Sequence, residues 1–149
     1  MALEEIYKEV ILDHYKNPRN KREMPDAPLT CSKNNPLCGD EITVYVNASD
    51  GKVLEVSFVG QGCSISQASA SMMTESVAGK TVEDVERLSG DVRSMLAGDL
   101  EPDEGAFGEL VALKGVVKYP VRVKCAVLAW DVLQEALASD GAAAGTAAH

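Results

Sequence analysis

"EITVYVNASDGKVLEVSFVGQGC", residues 41–63, is the stretch whose reading decides the fold. Ile42, Val44 and Val46 alternate with Thr43, Tyr45 and Asn47, a period of two that lines one face of a strand with apolar side chains. Ser49, Asp50 and Gly51 then supply a turn, after which Val53, Leu54, Val56 and Phe58 resume the apolar run. Two such runs joined through Asp-Gly predict an antiparallel hairpin, because the favoured tight turn needs positive φ at both central residues. At Cys63 the pattern changes. Gly60 and Gly62 allow a sharp exit from the strand, and Ala68, Ala70 and Ala78 are small enough for a following helix to pack closely on something flat.

Toward the N-terminus, Leu3, Ile6, Tyr7 and Val10 recur at helical spacing against Glu5, Lys8, Glu9 and Lys16, with Leu12 falling among the polar positions. The helix they predict ends at "KNPRN", where Pro18 stops it. Residues 18–37 are rich in Pro, Asn and charge and read as irregular, with "APLTCS" (27–32) offering a short edge strand. Toward the C-terminus, Gly79 closes the helix that begins at Cys63, and Thr81 with Asp84 three residues later opens another. "GDLEPDEGAFGE" (98–109) is glycine-rich and acidic and reads as a loop or lid. Its Asp99, Glu101, Asp103 and Glu104 suit either a surface that steers a basic partner or a solvated linker. "LVALKGV" (110–116) is a short apolar segment, "YPVRV" (119–123) reads as extended, and Ala126, Leu128, Ala129, Val132, Leu133 and Leu137 predict a last amphipathic helix. The tail "SDGAAAGTAAH" has too little side chain to pack and is expected to fray.

With 149 residues the chain has room for one ordinary hydrophobic core. Fourteen basic and 23 acidic side chains leave a formal net charge of −9, which disfavours binding to phosphate backbones and excludes nucleic acid as a bulk partner. There is no run of 18 apolar residues and "MALEEIYKEV" lacks the pattern of a secretory signal, so neither a membrane span nor export is expected. The expected setting is the reducing cytoplasm, where Cys31, Cys38, Cys63 and Cys125 serve as thiols or metal ligands rather than as disulfides.

Three of these cysteines fall at transitions between expected elements: Cys38 before the first hairpin strand, Cys63 where strand gives way to helix, and Cys125 between "YPVRV" and the last helix. Free N–H groups and the dipole at a helix N-terminus stabilise a thiolate. Together with Asp40, the three thiolates make a tetrahedral set for Zn²⁺, a borderline ion that accepts sulfur and oxygen. Only Cys38 and Asp40 are close in sequence, so the fold must assemble the site. Spacing alone leaves open that these are ordinary core or loop cysteines and that Asp40 only closes a turn. Cys31, in the polar "TCSKN", has no partner at ligand spacing and reads as a bystander; His14 falls on the apolar side of the first helix and reads as a core-edge histidine.

Taken together, four motifs resemble the iron-sulfur scaffold superfamily of NifU and IscU: "IYKEVILDHYKNPRN" (6–20), "NPLCGDEI" (35–42), "GQGCSISQASASMM" (60–73) and "YPVRVKCAVLAW" (119–130). Lys124 stands where IscU-type scaffolds carry histidine before the last ligand cysteine, and an extra acidic segment spans roughly residues 90–109; both features resemble the SufU-type branch. The resemblance implies an α+β fold of the SufE/NifU-like kind, a small three-stranded antiparallel sheet with helices packed on one face and the metal site exposed at its edge. That domain would span residues 1–139, with 140–149 as a flexible tail. It further implies Zn²⁺ held by Cys38, Asp40, Cys63 and Cys125, with the [2Fe-2S] cluster of a true scaffold as the alternative. The implied activity is sulfur transfer: Cys38 accepts persulfide sulfur from a PLP-dependent cysteine desulfurase of the SufS type, whose histidine replaces it on the metal, and the sulfur passes to the Suf cluster-assembly machinery. Lys124 and Arg122 are near enough in sequence to Cys125 to offset the negative charge of such a site. No residue pair outside it suggests acid–base work, so no independent catalysis is expected.

Overall fold

The computed structural model of the chain describes residues 3–35 and 39–146. Its elements run α1 (Leu3–Lys16), β1 (Leu29–Asn35), β2 (Asp40–Ser49), β3 (Lys52–Gln61), α2 (Ser64–Val77), α3 (Val82–Leu96), a short α4 (Glu104–Phe107), a 3-10 helix (Gly108–Val116) and α5 (Pro120–Thr146). The architecture is α+β, a three-stranded antiparallel sheet in the order β1-β2-β3 with helices packed around it.

The hairpin forms where the alternation predicts it. Asp50 (φ 54°) and Gly51 (φ 73°) occupy the left-handed region that the two-residue turn demands. Register sets Val44 opposite Phe58 and Val46 opposite Val56, so the alternating apolar residues of β2 and their β3 partners form one buried face. β1 adds an edge strand, with Cys31 opposite Val44 and Asn35 opposite Asp40. The expected short edge strand therefore begins at Leu29 and carries on to Asn35.

α2 is the central helix. Residues Ser66 to Thr74 are buried on every side, and the small side chains of Ala68, Ser69, Ala70 and Ser71 let neighbouring elements approach it closely. Ser69 links α2 to α5: its hydroxyl donates to the Ala126 carbonyl at 2.6 Å and accepts from the Trp130 indole at 3.2 Å. The Thr81 side chain accepts from the Asp84 N–H at 3.1 Å, which starts α3 as the sequence predicts.

Two expectations are corrected. "YPVRV" is not extended: Pro120 begins α5, because a proline at the first helical position has the right φ and lacks only an N–H that would have no helical partner. The segment 98–109 is a loop only in its first half. From Glu104 it is helical, and Phe107 and Leu110 are buried in the core, an apolar anchorage that the acidic composition conceals. Among the acidic side chains of its first half, Asp99, Glu101 and Asp103 are exposed, and Glu101 is paired with Lys114. Among the described residues no helix is long and apolar enough to cross a membrane.

Candidate metal centre

Asp40 opens β2 and is 1% exposed. Its Oδ1 accepts from the Cys63 N–H at 2.8 Å and from the Ser66 hydroxyl at 3.1 Å, both at the start of α2. Cys63 is the N-cap residue of α2 and its own side chain makes no capping bond, so Asp40 supplies from the sheet the acceptor that the helix end lacks. The other carboxylate oxygen, Oδ2, faces the Cys63 thiol at 3.9 Å. One oxygen anchors the helix and the second is turned toward sulfur.

The glycines of "GQG" make this approach possible. A Cβ on Gly62, whose φ is +143°, would lie 2.2 Å from Asp40 Oδ1 and 2.8 Å from Asp40 Cα. One on Gly60 would lie 2.2 Å from the Glu41 carbonyl oxygen. Only glycine lets the chain pass so close to Asp40 and then turn into α2.

Cys125 comes from α5 and is fully buried. Because α5 starts at Pro120, Cys125 lies in its second turn rather than at its N-terminus, and its thiol donates to the Val121 carbonyl at 3.7 Å. The expectation that the helix N-terminus activates this cysteine is thereby corrected. The Asn35 side-chain amide donates to the Cys125 sulfur at 4.0 Å. Partly exposed Cys63 and buried Asp40 and Cys125 offer ligand atoms that all lie within 4.8 Å of one another. Arg122, one turn earlier in α5, has its guanidinium pKa held above the ordinary value by thiolate charge at Cys63 and by hydrogen bonding to Cys125. An exposed cation thus stands beside two sulfurs.

Three of the four residues expected to form the site therefore converge from three elements, and the fourth, Cys38, lies outside the described residues. Two thiols and one carboxylate oxygen, with a cation alongside to offset their charge, are a donor set compatible with a borderline metal ion such as zinc. Lys124 is exposed and borders the groove between β1 and α5, together with Asn34, Asn35 and Val127. Cys31, the expected bystander, lies apart from the cluster; its thiol donates to Glu135 at 3.5 Å, and burial followed by that carboxylate raises its pKa. His14 is fully buried and engages partners through both ring nitrogens. The anchoring of α2 by Asp40 and Ser66 had no signal in the sequence beyond the glycines that permit it.

The model of the NifU-like N-terminal domain family matches residues 6–141. The chain is 42% identical over 138 residues to the zinc-dependent sulfurtransferase SufU of Bacillus subtilis, covering 93% of each chain. It is 39% identical over 135 residues to the iron-sulfur cluster assembly scaffold protein IscU of Streptococcus pyogenes, covering 91% of this chain and 84% of that one. Among solved structures, a candidate iron-sulfur cluster assembly scaffold for the SUF system from Fervidobacterium islandicum superposes with a TM-score of 0.83 at 35% identity, covering 91% of this chain and 99% of that one.

Proposed function

The chain belongs to the NifU-like N-terminal domain family, and on that premise we propose that it is a zinc-dependent sulfur-transfer protein of iron-sulfur cluster assembly. The observation that carries this reading is the convergence of Asp40, Cys63 and Cys125, donors suited to zinc, in a chain 42% identical to a relative named as a zinc-dependent sulfurtransferase. Cys38, two residues before Asp40 in the chain, supplies the fourth ligand and is the sulfur acceptor. Its donor is a PLP-dependent cysteine desulfurase of the SufS type, and the sulfur goes on to the Suf cluster-assembly machinery in the cytoplasm.

Zinc, when bound, keeps the coordinating thiols deprotonated while suppressing their nucleophilicity until one of them is released. The protein's own residues divide the remaining work. Asp40 fixes the start of α2 through Oδ1, so Cys63 is held by the sheet and the helix together. Cys125 is held inside α5, and Arg122 offsets the negative charge of the thiolates. The freed Cys38 thiolate attacks the terminal sulfur of the desulfurase persulfide. A new S–S bond forms at Cys38, the S–S bond on the desulfurase breaks, and the desulfurase cysteine leaves as a thiolate. No electrons are gained or lost overall. The test is incubation with desulfurase and cysteine followed by peptide mass analysis: persulfide on Cys38 supports the reading, whereas normal desulfurase stimulation by Cys38→Ala overturns the acceptor assignment.

A second reading, a scaffold that builds a [2Fe-2S] cluster on the same ligands, is favoured by the 39% identical relative that bears the scaffold name. Anaerobic reconstitution giving a visible iron-sulfur absorption band would select it.

A further inference from the structure

Far from the thiol cluster, the opposite half of α2 meets α1 and the 3-10 helix at a second group of metal-ligating side chains. His14 of α1 is fully buried. Its Nδ1 is hydrogen-bonded to the Ser71 hydroxyl at 2.8 Å, and Ser71 is itself fixed by the Arg19 backbone N–H, which donates to it at 2.9 Å. The ring is therefore oriented from behind, as second-shell partners orient a ligating imidazole. Its other nitrogen, Nε2, points at Glu109 Oε1, 2.9 Å away. Glu75 of α2 completes the group, with one atom each from His14, Glu75 and Glu109 within 4.8 Å of one another.

Two carboxylates this close repel each other unless a cation lies between them. Glu109 has a hydrogen-bond partner in His14. For Glu75 the nearest cation is Arg19 at 3.9 Å, too far for a hydrogen bond, and that guanidinium is already bonded to Asp13 at 2.7 Å. Both carboxylates are about half exposed and, with Lys80, line an open cavity of about 280 Å³, so an ion can approach from the carboxylate side with room to keep water ligands, while His14 lies buried behind them.

We propose that His14, Glu75 and Glu109 form a second cation site, selective for a hydrated first-row divalent ion of the ferrous or manganous kind. One imidazole nitrogen and two carboxylate oxygens, without sulfur, suit such ions, while the thiol cluster selects zinc. At the rise of an α-helix, Glu75 lies about 18 Å along α2 from Cys63, so the two sites do not share ligands. An ion takes the place of the His14–Glu109 hydrogen bond: Nε2 binds through its lone pair, and the ring then carries its hydrogen on Nδ1, directed at the Ser71 oxygen. This inference does not rest on the sulfur-transfer reading.

The test uses the full-length zinc-loaded chain titrated with Mn²⁺, following the signal of the free ion by electron paramagnetic resonance. One Mn²⁺ per chain is expected beyond the zinc. Glu75→Gln and Glu109→Gln, both at half-exposed positions, should each weaken it by about ten-fold or more. Arg19→Gln, which removes the competing cation, should tighten it. Absence of saturable binding up to about 1 mM overturns the proposal. So does equal affinity in the parent and both glutamine variants, which would reveal only diffuse attraction to an acidic protein.

Discussion

Replacing Gly62 with alanine tests how the site is built. The added Cβ meets Asp40 Oδ1 at 2.2 Å and Asp40 Cα at 2.8 Å, in a backbone conformation (φ +143°) that side chains resist. Neither atom yields cheaply, because Asp40 is buried and its Oδ1 already accepts from Cys63 and Ser66. Backbone strain of this kind costs about 1–3 kcal/mol, and weakening a charge-assisted hydrogen bond costs about 1.5–3 kcal/mol. The two overlap, since moving Asp40 relieves the first by incurring the second, so the expected destabilisation is about 3 kcal/mol. For a domain of this size that lowers the melting temperature by roughly 6–12 °C. Differential scanning calorimetry measures the shift, and mass spectrometry of the purified variant measures its metal. Gly79→Ala is the control, at φ +85° with nothing within 4 Å of the added carbon. It should cost about 1 kcal/mol and keep the metal. If Gly62→Ala melts no lower than Gly79→Ala and carries the parental metal content, Asp40 does not couple the sheet, α2 and the metal site as argued.

Arg122→Ala should raise the apparent zinc dissociation constant about two- to five-fold in chelator competition, the small factor expected of an exposed cation. Ser69→Ala strands the buried Trp130 indole N–H, now 3.2 Å from the hydroxyl, and should lower unfolding free energy in urea by about 1–3 kcal/mol. Glu135→Gln should speed alkylation of Cys31 by iodoacetamide near pH 8, because the carboxylate helps hold that thiol protonated. Asp13, whose pKa is lowered from 3.8 mainly by its hydrogen bond to Arg19, stabilises the fold above its unfolded pKa and loses that contribution as pH falls through its folded pKa. Asp13→Asn should therefore flatten the stability profile measured by urea melts at and below about pH 4.

The hairpin was legible because its signals are local: alternation within β2 and an Asp-Gly pair that fits only one kind of tight turn. The start of α5 was not, since Pro120 between Tyr119 and valines has the composition of an extended segment, and only tertiary packing makes it the first turn of a helix. Phe107 and Leu110 were hidden for a related reason, being two buried apolar side chains beside a run of acidic ones. The site was legible as motifs rather than as geometry. Cys63 and Cys125 are far apart in the chain, and no period or spacing shows that α2 and α5 bring them to Asp40. Its anchoring role depends on one oxygen reaching a helix N-terminus past two glycines, which the sequence announces only as "GQG". His14 was readable as a residue of the apolar helix face, but its bonds to Ser71 and Glu109 join residues 57 and 95 positions apart in the chain, which no local pattern announces.

The most direct test of the central claim is the metal content of protein purified anaerobically without added metal, compared with Cys63→Ala and Cys125→Ala. The account predicts about one zinc per chain in the parent, without iron or sulfide, and loss of that zinc in both variants. Iron with matching sulfide in the parent, or zinc retained when Cys63 and Cys125 are replaced, would contradict it.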